Sequence, residues 1–391
     1  MRTVRTVPVV PWVVSRILLL VAGYVCLTLF PVHPILDWQV QIFPTHAWLD
    51  GLVRWDAMWY ESIVDRSATL LPPNHSNANF FPLYSAVVWG AALPFRIVLD
   101  LPRAFYLAGL LVSHLAFLAG LLGVRRIAVK LAGAEVGSRA VWLIALFPFS
   151  FFFSAVYSDA LYLCLAAWSF SLALDGRWQW ACVLAALAAS TRIVGLSLFP
   201  ALLIEYHRQH RVGGIKIQEE ARLWAILAMA PLCIGAYFWI RYGNPFEFIH
   251  ARQVGWARGA GFTALIGDFQ EFTSGSMFAC GNWKDCLREW EMTRALLGYW
   301  YLALIPANVA LVLYARRELG AGLVVWVLLS VAMTLPNGLD GSGRYTAVLF
   351  PTFIAAAMLL KRRPAFILVC AVFVPFLILF FSQFARWRPV L

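Results

Sequence analysis

WVVSRILLLVAGYVCLTLF, residues 12–30, follows a basic start at Arg2 and Arg5 and sets how the rest of the chain is read. A cleaved signal peptide would have a shorter apolar core with a small-residue cleavage site after it. No convincing site of that kind follows, so the run reads as a retained first membrane helix. Composition agrees. The 391 residues are 62% hydrophobic and 13% charged, against about 45–50% apolar and about 25% charged in an ordinary soluble domain, and the mean hydropathy is +0.74. Several further windows exceed the roughly 18 apolar residues that mark a bilayer-crossing helix. A polytopic, all-α membrane protein is expected rather than one very large soluble core.

A net charge of +11 could suggest a nucleic-acid partner. The basic residues, however, sit at the ends of apolar segments: Arg125, Arg126, Lys130 and Arg139; Arg208, Arg211 and Lys216; Arg316 and Arg317; Lys361, Arg362 and Arg363. That is the positive-inside pattern of cytoplasmic loops, and no basic run is long enough for a nucleic-acid arm. The expected partner is the bilayer, not nucleic acid. The seven cysteines include no CxxC pair and no Cys/His spacing typical of zinc; no metal ligand set is expected. Cys26, Cys164, Cys182, Cys233 and Cys370 fall in apolar segments and read as packing residues, whereas Cys280 and Cys286 lie in the polar stretch CGNWKDC. On an extracytoplasmic face those two could pair or stay free.

Threading the chain places one membrane domain over residues 1–391, with a first outer loop at 31–99 and a second long outer loop at 242–294. Residues 31–79 carry Asp37, Asp50, Asp56, Glu61 and Asp65 against Arg54 and Arg66 only, as an outer loop would. Residues 80–99 are apolar but interrupted by Pro82, Pro94 and Arg96. If they crossed fully, the basic cluster at 125–139 would face outside, so they are expected to form a re-entrant or interfacial helix. Irregular backbone at membrane depth is tolerated where protein covers it. Residues 178–206 exceed one span yet lie between two inner loops, so a hairpin with its tip near Ser190, Thr191 and Arg192 is expected. Counting on gives about eleven spans and no obvious internal repeat.

The scarce polar groups then fall together. Asp56, Asp159, Arg192 and Arg344 are all expected at the outer face, from four remote stretches. Each alone reads as readily as an interface anchor; their convergence favours a site. RWDAMWY, residues 54–60, reads as part of a helix with Trp55, Met58, Trp59 and Ser62 along one stripe and Asp56 and Tyr60 neighbours at i and i+4. The expected pose is in the interface plane, stripe towards lipid and Asp56 near its edge. An outer-face acid can act as general base on a hydroxyl, and two arginines can hold a phosphate and the charge that develops as it departs. One base and a phosphate clamp suffice to displace a sugar from a lipid phosphate. No loop is long enough for a soluble nucleotide-binding domain, and no Gly-rich phosphate loop follows a strand pattern, which disfavours a nucleotide-sugar donor.

RWDAMWY at 54–60, NANFFPLY at 77–84, FFFSAVYSDALY at 151–162, STRIVGL at 190–196 and GRYTAVLFP at 343–351 follow one another in this order. Together they resemble the PIG-V family, the GPI mannosyltransferase 2 group, and particularly its shorter bacterial relatives, over about residues 54–351. The resemblance implies a GT-C fold with the catalytic acid in the first outer loop. It also implies inverting transfer of mannose from a polyprenyl-phosphate donor to a glycolipid or other acceptor, without an obligatory cofactor or metal. Carried over by motif, the base is Asp56, with Arg54, Trp55 and Tyr60 shaping its surroundings. Asp159 is then a second acid orienting the acceptor or donor sugar. On physical grounds rather than by the motif, Arg192, Arg344 and the adjoining Tyr345 are expected as phosphate or sugar contacts. The chain departs from the pattern at Ser85 and in DRSATLLPP, 65–73, which bears on the acceptor more than on the donor. The implied setting is a bacterial plasma membrane with the site outside, or the endoplasmic reticulum if the source is eukaryotic. A lipid-linked-sugar transporter and a noncatalytic subunit of a transferase complex are the alternatives. A transporter would place its charges and broken helices near the bilayer midplane.

Overall fold

The computed structural model describes residues 8–30, 32, 41–65, 76–210, 217–255, 266, 267, 270, 289–388 and 390. The expectations about Cys280 and Cys286, and about most of the second outer loop, lie outside these residues. No strand occurs among the described residues.

The first half comprises α1 (Val9–Leu29), α2 (Ala47–Asp50), α3 (Ala57–Val64), α4 (Pro82–Ala92), α5 (Leu101–Ala132), α6 (Ala134–Leu146), α7 (Asp159–Leu174) and α8 (Trp178–Thr191). The second comprises α9 (Leu198–Gln209), α10 (Ile217–Tyr242), α11 (Glu247–Gly255), α12 (Glu289–Tyr314), α13 (Arg316–Leu319), α14 (Ala321–Thr334), α15 (Ser342–Ala347), α16 (Phe350–Leu359) and α17 (Arg363–Ala385). Proline opens α4, α5, α16 and α17 as Pro82, Pro102, Pro351 and Pro364. There its fixed φ suits the helix and its missing N–H costs nothing.

Among the described residues, five helical stretches are long and apolar enough to cross a membrane: Val9–Leu29, Leu101–Ala132, Gln218–Tyr242, Leu296–Tyr314 and Arg363–Ala385. The expected count of about eleven does not follow from helix length, because Asp159–Leu174, Ala321–Thr334 and Phe350–Leu359 are shorter apolar helices. α4 has 11 residues, about 16 Å at 1.5 Å per residue, which is short of a roughly 30 Å hydrocarbon core. Residues 178–206 fold as α8 and α9 joined by a 3₁₀ turn at Ile193–Ser197, so the chain breaks at Arg192.

α5 packs along both α6 and α7, α7 along α8, and α8 along α10, while α1 lies against α17. Phe151, Phe152 and Phe153 are fully buried. They fill the space between these helices, Phe153 stacking on Phe117 of α5 at 4.7 Å and Phe151 meeting Phe384 of α17 at 5.2 Å. α3 differs from the expected lipid-facing pose. Met58, Trp59 and Ser62 are all buried in protein, with Trp59 stacked on Phe80 at 5.8 Å. The reason is local. Segment 77–85 folds back over the short helix, Asn77 Nδ2 donating to Ser62 Oγ at 2.9 Å and Ser85 Oγ to the Tyr60 carbonyl at 2.8 Å.

Candidate active site

The site begins with a tight turn. Trp55 sits at φ 53°, in the left-handed region, which costs an ordinary side chain roughly 1–2 kcal/mol. Neighbours on both sides hold it there. The hydroxyl of Tyr157 accepts from the Asp56 amide at 3.1 Å and donates to the Arg54 carbonyl at 3.2 Å, bracketing Trp55. Arg54 is fully buried. Its guanidinium pairs with Asp50 at 2.6 Å, donates to the Ala385 carbonyl at 2.9 Å and lies 5.0 Å from the Trp387 ring. The turn delivers Asp56 to the start of α3, where its carboxylate makes no side-chain cap and is free to point elsewhere.

It points at Arg344. Nη1 of Arg344 donates to Asp56 Oδ2 at 2.5 Å and Nε to Asp159 Oδ2 at 2.9 Å, so one guanidinium spans both acids. Arg192 closes on Asp159 Oδ1 from the far side. Tyr60 joins through a 3.4 Å hydrogen bond from Arg344 Nη2 and a 2.8 Å contact with Ser158 Oγ. The Tyr157 ring lies 4.5 Å beneath the Arg344 guanidinium, and Tyr345 packs 5.4 Å from that of Arg192. Glycines let both arginines reach in. A Cβ at Gly195 would come within 2.5 Å of the Ala189 backbone, and one at Gly343 within 2.4 Å of the Phe149 ring. The Arg-x-x-Gly and Gly-Arg pairs in the sequence therefore have a steric cause.

Beside this network lies a cavity of 520 Å³ lined by Trp55, Asp56, Tyr60, Arg192, Arg344 and Tyr345, together with Phe80, Phe81, Ser158, Phe248, Arg252 and Asp340, among others. Its volume falls within the roughly 300–1,000 Å³ usual for small-molecule sites. Two sequence candidates stand behind the wall. Arg54 is spent on Asp50 and the Ala385 carbonyl, and Asp159 is 0% exposed with both oxygens bound to arginines. Asp159, expected from the motif to orient a sugar, is not among the residues that line the cavity, whereas the two arginines that bind it are. Asp56 keeps Oδ1 without a hydrogen bond among the described residues. Burial pushes its carboxyl above the ordinary carboxylate range, and the nearby Arg344 draws it part of the way back. Among the described residues, no group of three or more His, Cys, Asp or Glu is placed to hold a metal ion.

Residues 40–231 match the family model of mannosyltransferase (PIG-V). Over this stretch the chain is similar to the PIG-V mannosyltransferase family. Among solved structures it resembles the Archaeoglobus fulgidus oligosaccharyltransferase crystallised with Zn and sulfate, at 13% identity and a TM-score of 0.53, covering 97% of this chain and 53% of that one. It also resembles the same organism's oligosaccharyltransferase AglB in complex with an inhibitory peptide and a dolichol-phosphate, at 11% identity and a TM-score of 0.51, covering 97% and 56%. This chain thus spans about half the length of those neighbours, and at such identity the likeness is one of fold. The fold is of the GT-C type. No curated protein matches the sequence. The long apolar helices support an integral membrane protein. Asp56, Asp159 and Arg192 lie inside the matched PIG-V stretch, while Arg344 and Tyr345 lie beyond its end at residue 231.

Sequence reasoning left out several residues that build the site. Tyr157 and Ser158 adjoin Asp159 in a motif already singled out, and the signal was their polarity in an otherwise apolar run. Asp50, four residues before Arg54, carried the i,i+4 spacing of an ion pair. Arg252 and Asp340 lay in stretches that offered no motif.

Proposed function

We propose that the protein is an inverting mannosyltransferase that moves mannose from a polyprenyl-phosphate donor to a hydroxyl of a glycolipid or other acceptor. The observation that carries this reading is the Asp56 carboxylate at the cavity, one oxygen fixed by Arg344 at 2.5 Å and the other left for a substrate. In the step, the acceptor oxygen attacks the anomeric carbon while the bond from that carbon to the lipid-phosphate oxygen breaks. Asp56 Oδ1 takes the hydroxyl proton, and the lipid phosphate leaves as an anion that needs no second acid. Burial favours proton uptake by Asp56, and a general base held in place contributes about 10²–10⁴-fold. Arg344 keeps the carboxylate aimed. Arg192 and Arg344 face the sugar from the cavity wall, Trp55, Tyr60 and Tyr345 flank it, and Asp159 positions both arginines from behind. The reaction uses no cofactor. It takes place on the extracytoplasmic face of a multi-pass membrane protein, the plasma membrane in a bacterium, with donor and acceptor entering from the bilayer.

The test is transfer from radiolabelled polyprenyl-phosphate mannose by purified protein in liposomes of source-membrane lipids, with chelator present. Labelled product is expected from the wild type and not from a folded Asp56→Asn variant. Full activity of that variant would reject the base, and loss of activity on chelation would reject the metal-free step.

A further inference from the structure

We propose that Arg252, on α11, binds the phosphate of the lipid donor, and that the lipid chain lies in the apolar groove between α10 and α11. This rests on the lipid-phosphate reading above and assigns its anion to a residue outside the sequence motifs.

The argument starts from charge. Asp56 and Asp159 are matched by Arg344, which spans both, and by Arg192, which closes on Asp159. Two carboxylates and two guanidiniums cancel within the protein. Drawing Arg344 onto a phosphate would strip buried Asp56 of its partner, and drawing Arg192 away would leave one guanidinium to balance two buried carboxylates; under-compensated buried charge is costly. A further cation is needed. Arg252 lines the same cavity as Asp56, is half-buried, and makes no hydrogen bond or ion pair among the described residues. A guanidinium cannot lose its proton and presents a fork of donors suited to phosphate oxygens.

The second observation is shape. An apolar groove of 590 Å³, lined by Leu232, Ile234, Gly235, Trp239, Phe246 and Phe248, runs between α10 and α11. Ile193 and Phe248 line both the groove and the cavity, so the two adjoin. Leu232, Trp239 and Phe246 are 66%, 62% and 64% exposed, which opens the groove outward along a helix long and apolar enough to span the bilayer. Phe248 and Arg252 are one turn apart on α11 and share a face. The apolar ring meets the groove and the cation meets the cavity. A long aliphatic chain ending in a phosphate presents the same two surfaces in the same order.

Equilibrium binding of a radiolabelled long-chain polyprenyl monophosphate, of the matching polyprenol and of inorganic phosphate, to purified protein in detergent micelles, tests this without any transfer step. The wild type should prefer the phosphate lipid over the alcohol by about tenfold or more, as a charge-assisted contact implies, and should not saturate with inorganic phosphate. Arg252→Ala should abolish the preference while leaving polyprenol affinity unchanged, and Arg252→Lys should restore part of it. A Cβ at Gly235 meets only Pro245, at 3.8 Å, so Gly235→Phe fills the groove and should weaken both lipids alike. A wild-type preference that survives in Arg252→Ala overturns the assignment and leaves the transfer reading standing. A wild type with no preference overturns both. Inorganic phosphate binding as tightly as the lipid overturns the groove.

Discussion

Asp50 and Asp56, six residues apart, each pair with an arginine, and the two pairs have different surroundings. Asp50 has both oxygens occupied. Oδ1 accepts from the amides of Ile42 and Phe43 at 2.8 and 2.9 Å, and Oδ2 pairs with Arg54 at 2.6 Å, with the side chains 2% and 1% exposed. Asp56 has one oxygen held by Arg344 at 2.5 Å, in a side chain that borders a cavity. The same two functional groups thus make a staple in one place and a candidate base in the other. What separates them is whether an acid retains an unused lone pair next to open space.

The same isosteric change at both acids should break that comparison most sharply. Asp56→Asn is expected to lower transfer by about 10²–10⁴-fold while the melting temperature in detergent stays close to wild type, since Arg344 keeps Asp159 at 2.9 Å. Asp50→Asn leaves Arg54 as an uncompensated buried cation and should cost about 3–5 kcal/mol of stability, with normal turnover per folded molecule. Equal losses of stability in the two variants would erase the distinction.

Glu61 sharpens it with a third acid. Buried on α3 and hydrogen-bonded by Tyr106, it has no arginine among its described partners. Burial pushes its pKa from 4.5 to about 7. Between those values the unfolded chain releases the proton while the native state keeps it, so stability falls as pH rises from about 4.5 to 7. Glu61→Gln should remove that slope and stabilise the protein at pH 8 by up to about 3 kcal/mol, measured as melting temperature against pH. An unchanged slope would show that Glu61 is ionised in the folded protein. The smallest expected effect is at Tyr157. Tyr157→Phe deletes the hydroxyl shared by the Asp56 amide and the Arg54 carbonyl and should cost about 1 kcal/mol by denaturant titration. A cost near that of Asp50→Asn would make the tyrosine as important to the turn as the ion pair.

Much of this was readable because charge is scarce in an apolar chain. Asp56, Asp159, Arg192 and Arg344 stood out for that reason, and the structure joins them in one network. Their arrangement in depth was not readable. A spacing that places an acid at a helix end does not say whether two arginines will cover it, as they cover Asp159. The direction of the α3 stripe failed similarly, because an aromatic face suits protein as well as lipid, and the segment 77–85 that covers it is remote in helical periodicity. Helix lengths departed from apolar run lengths where breaks such as Arg192 intervene. Arg252 left no mark, since a single cation on a nine-residue helix looks like ordinary surface.

The contact between Arg54 and the Ala385 carbonyl joins positions 331 residues apart, and Trp55 packs edge-on against Trp387 at 5.6 Å. The turn that aims Asp56 therefore leans on chain made long after it. During synthesis, which proceeds from the N-terminus at about 5–20 residues per second, the first loop waits through every intervening helix before its frame exists. Chemistry at this site is in that sense timed: the acid leaves the ribosome well before the helix end that sets it.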